Sequence, residues 1–310
     1  MKTMWKNAIL GVVTGDALGC PVEFRSREEI AEIPVRGMRG YGTFNLPPGS
    51  WTDDSSLTLA LLTSIREKED IDLRDIMSNF VRWLDEGAFT PYGYAYDIGH
   101  GTMQAIQRYK HTKNPRTCGS SSEWNNGNGS LMRIMPACLF CIDRDLSGKD
   151  ALRVIHQVGG LTHPHIRSQM ACGLYFCMAR AIVNGEGDLK TLLQNGLSEG
   201  FALYEETLYD ASDLLFYRRL RDLDQFAAVP ADQIRSSGYV VDSLEAAVWT
   251  LITTSTLKDA LLKAVNLGED TDTIAAIAGG LAGLFYGCEA IPDKWLDSLA
   301  RRSWIEELCE

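Results

Sequence analysis

The segment GEDTDTIAAIAGGLAGLFYG, residues 268–287, places acids directly before a long apolar run. Its apolar residues recur at three- and four-residue spacing, which predicts a helix, and Gly287 follows the run where helix C-termini favour glycine. The run is rich in alanine and glycine, so the backbone of a neighbouring element can approach closely. We therefore expect a buried helix that carries Asp270, Asp272 and Thr273 at its start.

A second acidic pair precedes another apolar run, in GSWTDDSSLTLALLTSI at residues 49–65. Thr52, Asp53 and Asp54 lie at the predicted start of a helix, where carboxylates meet the helix dipole favourably and a Thr or Asp side chain can cap the first turn. One acid would suffice for that structural task. The alternative interpretation is that the paired carboxylates bind a cation.

The two acidic clusters together contain four aspartates, whose carboxylates would repel one another if the helix starts converge. At about 4 Å each pair would cost on the order of 1 to 4 kcal/mol, depending on the local dielectric constant. Two divalent cations would cancel the four charges. Because the clusters offer oxygen ligands without His or Cys, they favour Mg²⁺ or Mn²⁺ over Zn²⁺. Their spacing does not match a calcium EF-hand loop.

Helical periodicity dominates the rest of the chain, and alternating strand patterns are scarce. Residues 1–19 are expected to form the first helix, and Gly87, Gly185 and Gly268 stand where helices would end. Further helical patterns occupy residues 72–87, 99–110, 165–185, 243–255 and 257–268. The irregular stretches 34–52 and 112–130 are long enough to suggest functional loops. We predict an all-α fold with a single compact multi-helix domain over residues 1–310.

Composition limits the class of protein. Of the 310 residues, 45% are hydrophobic and 23% are charged, which is typical of a globular protein with a full core. No segment approaches the roughly 18 uninterrupted apolar residues of a membrane helix. A net charge of −11 opposes binding to nucleic acid or anionic membranes. Most of the eight cysteines lie in apolar stretches, so Cys138 and Cys141 are interpreted as buried thiols and a cytoplasmic location is expected.

Two further acids occur near the N-terminus, in GVVTGDALGCPVEF at residues 11–24. Asp16 is interpreted as lying on a glycine-flanked turn. Glu23 stands between Val22 and Phe24, an unusual setting for a solvated acid. The pattern alone leaves open whether Glu23 is a functional carboxylate or an ordinary surface acid.

Six motifs follow one another along nearly the whole chain, from about residue 5 to about residue 290. They are GDALGCPVEF, SWTDDS, NGNGSLMRIMP, LTHPH, GYVVDSLEAAVW and GEDTDTIAAIAGGLAG. Their order resembles that of the ADP-ribosylglycohydrolases, which include the dinitrogenase reductase-activating glycohydrolase and the ADP-ribosylarginine hydrolases. The resemblance implies an all-α fold with a binuclear magnesium or manganese centre.

The resemblance also implies a role for each matching residue. The metal ligands would be Thr52, Asp53, Asp54, Asp270, Asp272 and Thr273, and Glu23 matches an acid that lies on a mobile loop at the metal centre in some relatives. The ADP-ribose contacts would be Asn128, Gly129, Ser130, Met132 and His163. The segment YDIGHGT would hold ribose and phosphates through Asp97, Gly99, Gly101 and Thr102, and Tyr239 would flank the adenine.

Each substrate-binding motif also has a plain structural interpretation. The residues of NNGNGS could turn their N–H groups towards a pyrophosphate, although such stretches are more often turns. His163 and His165 have no third ligand for zinc, so we assign His163 to a hydrogen bond with ribose or phosphate and His165 to the surface. Tyr239, taken alone, would more often be a core residue than a stacking platform.

We expect a metal-dependent hydrolase that removes ADP-ribose from a modified protein or a small-molecule conjugate. N-glycosidic ADP-ribosyl-arginine is the favoured linkage, with Asp53 or Asp54 as general base and Glu23 as the competing candidate. The alternatives are hydrolysis of O-linked or free ADP-ribose derivatives, and a non-catalytic role like that of the crystallin branch of the family. All six expected ligand positions keep an oxygen-bearing side chain, which argues against the non-catalytic role.

Overall fold

The structure, a computed structural model, describes residues 2–207 and 212–310, and helices make up most of these ranges. In chain order they are α1 (Lys2–Gly19), α2 (Arg27–Glu32), α3 (Asp53–Lys68), α4 (Leu73–Glu86), α5 (His100–Thr112), α6 (Met135–Asp143), α7 (Gly148–Gly159), α8 (Ile166–Asn184), α9 (Leu189–Thr207), α10 (Leu223–Ala227), α11 (Val240–Ile252), α12 (Leu257–Val265), α13 (Thr271–Tyr286), α14 (Asp293–Ser298) and α15 (Arg302–Cys309). The described residues contain an isolated bridge between Gly127 and Tyr239 but no β-strand. The predicted all-α fold is confirmed.

The predicted helices correspond closely to observed ones, whereas one local interpretation was wrong. The two segments with leading acids form α3 and α13, and the five further patterns form α4, α5, α8, α11 and α12. Asp16, however, lies inside α1 and not on a turn. The glycines around it do not bend the chain, because they are used for helix packing.

A close antiparallel contact between α1 and α13 forms the centre of the fold. Three glycines of α1 at intervals of four residues face small or backbone groups of α13: Gly11 lies against Gly279, Gly15 against Ala275 and Gly19 against Asp272. Residues four apart share one face of a helix. A Cβ atom on any of these α1 glycines would overlap backbone atoms of α13. The two backbones therefore touch, and the C-terminal end of α1 lies beside the N-terminal end of α13.

The other helices surround this pair. Every residue of α13 from 271 to 283 is buried, as expected for a helix that is apolar on all sides. Helices α8, α11 and α12 pack on α13, while α3, α6 and α15 pack on α1. The described residues share one hydrophobic core, and all eight cysteines are buried free thiols, which confirms the prediction for Cys138 and Cys141. None of the described helices is long and apolar enough to cross a bilayer.

A methyl group at the α1–α13 contact is expected to destabilise the protein. In Gly279→Ala the new Cβ would collide with the backbone of Gly11. Overpacking against a backbone that cannot rotate away should lower the free energy of unfolding by about 2 kcal/mol or more, measured by urea denaturation. Gly159→Ala is the matched control, because its methyl group would meet only side-chain atoms of Cys172 and Ser130, at 3.5 and 3.7 Å. Equal effects of the two substitutions would contradict the proposed role of the contact.

Candidate active site

The N-terminus of α3 is capped by Asp16 of α1. The Asp16 carboxylate accepts hydrogen bonds from the backbone N–H groups of Thr52 and Ser55, both at 2.9 Å, and from the Ser55 hydroxyl at 2.6 Å. Thr52 occupies the N-cap position of α3, but its own side chain makes no capping hydrogen bond. Because α1 supplies the cap, neither Asp53 nor Asp54 is needed for that task.

The starts of α3 and α13 meet at the end of α1. The Thr273 hydroxyl donates to Asp54 Oδ2 at 3.1 Å, and the Thr52 hydroxyl lies 3.1 Å from the same oxygen. One carboxylate oxygen from each of Asp16, Asp54 and Asp272 lies within 4.8 Å of the others. Acids separated by more than 200 residues of sequence therefore share one small, buried space.

A second carboxylate group adjoins the first. Oxygens of Glu23, Asp97 and Asp272 also lie within 4.8 Å of one another, so Asp272 belongs to both groups. Glu23 follows the short 3₁₀ turn Cys20–Val22 at the end of α1, and Asp97 precedes α5. Asp97, which the sequence assigned to the sugar and phosphates, thus has its carboxylate at the acidic centre.

The acids in these two groups, and Asp53 beside them, resist ionisation in the absence of a counter-charge. Burial is the largest cause that raises the pKa of Asp53, Asp54 and Asp272 well above the usual range, and neighbouring carboxylates raise it further. Burial likewise raises the pKa of Asp97 to about 7. A cluster with these properties is stable in its charged form only when positive charge is supplied.

Several buried oxygens in the cluster have no hydrogen-bond donor among the described residues. They are Asp54 Oδ1, both carboxylate oxygens of Asp272 and Glu23 Oε2. A buried acceptor without a donor costs about 1–3 kcal/mol. Two adjoining groups of oxygen ligands that share one carboxylate match the preferences of hard divalent cations. The residues present therefore fit metal ions.

A cleft of about 680 Å³ opens beside the acids. Of the expected substrate contacts, its wall contains Asp97, Gly99, Gly101, Thr102, Asn128, Gly129, Met132 and His163. Of the expected metal-centre residues, it contains Glu23, Asp53, Asp270 and Thr273, whereas Thr52, Asp54 and Asp272 are buried behind the wall. Each of the six sequence motifs thus contributes at least one residue to the wall of one cavity.

Three residues singled out from the sequence lie away from this cleft. Ser130 is fully buried, and its hydroxyl lies 3.5 Å from the Cys172 sulfur. Tyr239 lines a neighbouring depression together with Phe216. His165 caps α8 by accepting a hydrogen bond from the Arg167 N–H at Nδ1. The position of Tyr239 gives no support to its predicted contact with adenine.

The glycine-rich loop, residues 125–130, is connected to the acidic centre by hydrogen bonds of Asn128. The Asn128 side-chain amide donates to Asp270 Oδ2 at 2.7 Å and to the Ser243 hydroxyl at 2.8 Å. The Asn128 backbone N–H donates to the Gly238 carbonyl oxygen at 3.1 Å, and this hydrogen bond attaches the loop to the segment before α11. Asn128 therefore positions a carboxylate as well as the loop.

The wall of the cleft is strongly acidic. Among its described lining residues, carboxyl groups come from Glu23, Asp53, Asp97, Glu269 and Asp270, and none of the lining side chains is Lys or Arg. An anionic ligand in this cleft would depend on bound cations and on N–H donors for its counter-charge.

Sequence reasoning missed four residues at the site. Asp16 was noted as an acid but was given no role, because its role depends on packing between helices that are distant in sequence. Trp124 and Phe24 line the cleft with 97% and 69% of their surfaces exposed. A tryptophan within the polar stretch SSEWNNG was a detectable signal. Exposed Glu269 stands beside Phe24, whose N–H donates to the Glu269 carbonyl at 2.8 Å.

Comparison with known proteins identifies one family. A family model described as ADP-ribosylglycohydrolase matches residues 5–310. The ADP-ribosylarginine hydrolase Tri1 of Serratia proteamaculans (strain 568) is 31% identical over 309 residues, covering 98% of this chain and 77% of its own. The ADP-ribosyl-[dinitrogen reductase] glycohydrolase of Rhodospirillum rubrum is 32% identical, covering 94% of this chain and 88% of its own.

A solved structure supports the same relationship. The chain is similar to an "ADP-ribosylglycohydrolase-related protein complex" with a TM-score of 0.77 and 29% sequence identity. The match covers 99% of this chain and 96% of the other.

Asp272 belongs to both carboxylate groups, so without its carboxylate the thermal stability of the protein should no longer depend on divalent cations. We expect Mg²⁺ or Mn²⁺ to raise the melting temperature by about 5 °C or more relative to chelator, because the cations bind only the folded state. Asp272→Asn should raise the melting temperature in chelator, since it relieves repulsion, and should abolish the cation-induced increase.

The control for this measurement is Glu186→Gln, which removes an exposed carboxylate from the loop between α8 and α9. It should keep the full cation-induced increase. An unchanged increase in Asp272→Asn would rule out cation binding through this residue.

Proposed function

Because the chain belongs to the ADP-ribosylglycohydrolase family, we propose that it hydrolyses the N-glycosidic bond between ADP-ribose and an arginine side chain of a modified protein. Arginine is proposed as the acceptor because the wall of the cleft is acidic and Glu269 is exposed at its edge. An ADP-ribosylated guanidinium keeps its positive charge, whereas an O-linked acceptor or free ADP-ribose brings none. Charge complementarity therefore favours arginine among the possible acceptors.

Two divalent cations, Mg²⁺ or Mn²⁺, are the cofactors of this proposal. Thr52, Asp53, Asp54, Asp270, Asp272 and Thr273 are the proposed ligands, and Asp16, Glu23 and Asp97 complete the acidic surroundings. When bound, such cations offset carboxylate charge, orient sugar hydroxyls and polarise the attacking water.

The chain's own residues supply the proton transfer and the charge stabilisation. Asp53 and Glu23 line the cleft, whereas Asp54 lies behind its wall, so we favour Asp53 over Asp54 as general base. As the bond between the ribose C1 and the guanidino nitrogen breaks, positive charge develops on the sugar, and nearby carboxylates stabilise it. Asp53 takes a proton from the water that attacks C1, and the departing guanidine accepts a proton to become guanidinium.

The remaining wall of the cleft would hold the nucleotide. Gly99, Gly101 and Gly129 let ribose and pyrophosphate approach the backbone without obstruction. The exposed indole of Trp124 offers an aromatic surface for the adenine, a role that the sequence had assigned to Tyr239. A cytoplasmic location stays a prediction, supported by eight buried free thiols.

The proposed linkage can be tested with paired substrates. The protein should release ADP-ribose from an ADP-ribosyl-arginine peptide in the presence of Mg²⁺ or Mn²⁺. Release from an ADP-ribosyl-serine peptide should be slower by about 10-fold or more. In chelator, neither peptide should be cleaved. Equal or faster cleavage of the serine peptide would contradict the arginine assignment. A lack of release from both peptides with metal present would favour the non-catalytic alternative.

A matched variant tests the electrostatic reason for this preference. Glu269→Gln should raise KM for the arginine peptide by about 3- to 10-fold, because one favourable charge at the edge of the cleft is lost. The kcat for that peptide and both constants for the serine peptide should change little. A parallel change for both peptides would show that Glu269 acts only on the structure of the cleft.

The choice of general base can be tested by comparing Asp53→Asn with Glu23→Gln. Loss of a general base should lower kcat by about 10²-fold or more, and added formate should partly restore the rate by replacing the missing carboxylate. We expect both effects for Asp53→Asn and only the loss of rate for Glu23→Gln. Restoration by formate in Glu23→Gln alone would transfer the assignment to Glu23.

A further inference from the structure

Arg133 is a fully buried cation directly behind the glycine-rich loop. Its guanidinium donates to the carbonyl of Gly129 and to the Thr162 hydroxyl at 2.8 Å, and it lies over the ring of Phe80 at 4.9 Å. Among the described residues no carboxylate lies within salt-bridge distance of it, although the charge of Asp53 acts on it from farther away, and its Nε has no hydrogen-bond partner. Burial lowers the pKa of Arg133 to about 10, so the group is still charged at neutral pH. A buried charge without a direct ion pair is costly, which prompts the question of its function.

The contact with Thr162 determines which nitrogen of His163 carries a proton. Thr162 Oγ1 lies 2.7 Å from His163 Nδ1 and already accepts a hydrogen bond from Arg133. No other acceptor for the Thr162 hydroxyl proton exists among the described residues, and Thr162 is fully buried. The network is satisfied when Thr162 donates to Nδ1, which leaves the proton of the neutral imidazole on Nε2.

The Nε2 edge of His163 faces the cleft. A methyl group on Gly101 would lie 2.9 Å from Nε2, and one on Gly127 would lie 3.6 Å from it; both glycines belong to the cleft wall. Burial, with a smaller effect of the Arg133 charge, lowers the pKa of His163 to about 3, so the ring stays neutral. His163 therefore presents a fixed N–H donor to the cavity.

Arg133 also orients a peptide group of the loop. It holds the Gly129 carbonyl, and because the Gly129–Ser130 peptide bond is trans, the Ser130 N–H points away from the guanidinium. Within the described residues, this N–H and the N–H of Gly129 have no protein acceptor. Gly129 lines the cleft, so its N–H is available to a ligand, whereas Ser130 is fully buried and its peptide group serves to fix the loop.

We propose that Arg133 and Thr162 are positioning residues for phosphate recognition. Arg133 fixes the Gly129–Ser130 peptide directly, and through Thr162 it fixes His163 as an Nε2–H donor. The buried charge of Arg133 also attracts the anion. The inference deepens the proposed function, on which it rests for the identity of the ligand as ADP-ribose. It explains how an acidic cleft without Lys or Arg on its wall accepts a pyrophosphate.

The test compares Thr162→Val with Thr162→Ser. Val has the shape of Thr without the hydroxyl, whereas Ser keeps the hydroxyl. Thr162→Val should weaken ADP-ribose binding, measured by calorimetry, by about 10-fold or more, and should raise KM more than it lowers kcat. Thr162→Ser should stay within about 3-fold of the parent protein. Equal affinities of the two variants would overturn the proposal.

A spectroscopic measurement separates positioning from general structural damage. Nitrogen-15 NMR of histidine-labelled protein, with His163 assigned by His163→Gln, should show Nδ1 unprotonated and Nε2 protonated at pH 7 in the parent and in Thr162→Ser. Thr162→Val should shift the ring towards a mixture of tautomers. A parent protein with the proton on Nδ1, or with a doubly protonated ring, would refute the relay even if Thr162→Val proved too unstable for binding studies.

Binding and tautomer measurements do not require turnover, so this inference and the proposed function can fail separately. If the arginine linkage is not cleaved but Thr162→Val still weakens ADP-ribose binding selectively, only the proposed function fails. If the parent cleaves the linkage and both Thr162 variants bind ADP-ribose equally well, only the positioning role fails.

Discussion

The contact between the backbones of α1 and α13 is the constraint on which the site depends. Glycines at intervals of four residues let the two helices touch, and Gly19 lies against Asp272 at the end of the contact. Larger side chains would separate the helices by several ångströms. The carboxylates at the end of α1 and the start of α13 would then no longer reach one another, so the packing that builds the core also sets the distances at the acidic centre.

The same arrangement answers why two acids stand together at the start of α3. Asp16 reaches across from α1 and supplies the cap, so neither acid of α3 is needed to cap that helix. Asp54 and Asp272 retain buried oxygens without donors, which is unfavourable in a chain that binds nothing there. In the proposed function, the stability and the activity of this centre are both coupled to cations.

The cleft distributes charge in a way that suits a ligand with an anionic and a cationic end. Its wall is acidic, and in the proposed function this favours a guanidinium at the edge near Glu269. In our proposal, positive charge for a pyrophosphate comes from behind the wall, where Arg133 acts through Thr162, His163 and the loop backbone. Recognition by fixed N–H donors needs little reorganisation when the ligand binds.

The sequence by itself determined the helical fold and the residue types of the site. Apolar spacing and paired acids are local patterns, and they can be recognised without knowing which residues pack against them in space. It also assigned Asp53, Asp54, Asp270 and Asp272 to one centre, with help from a family resemblance. Only the tertiary structure decided that Asp16 caps α3, that Asp97 lies with Glu23 and Asp272, and that Arg133 stands behind His163. These relations depend on which helix faces meet in space, and a one-dimensional pattern of spacing carries no information about the partner that a face will contact.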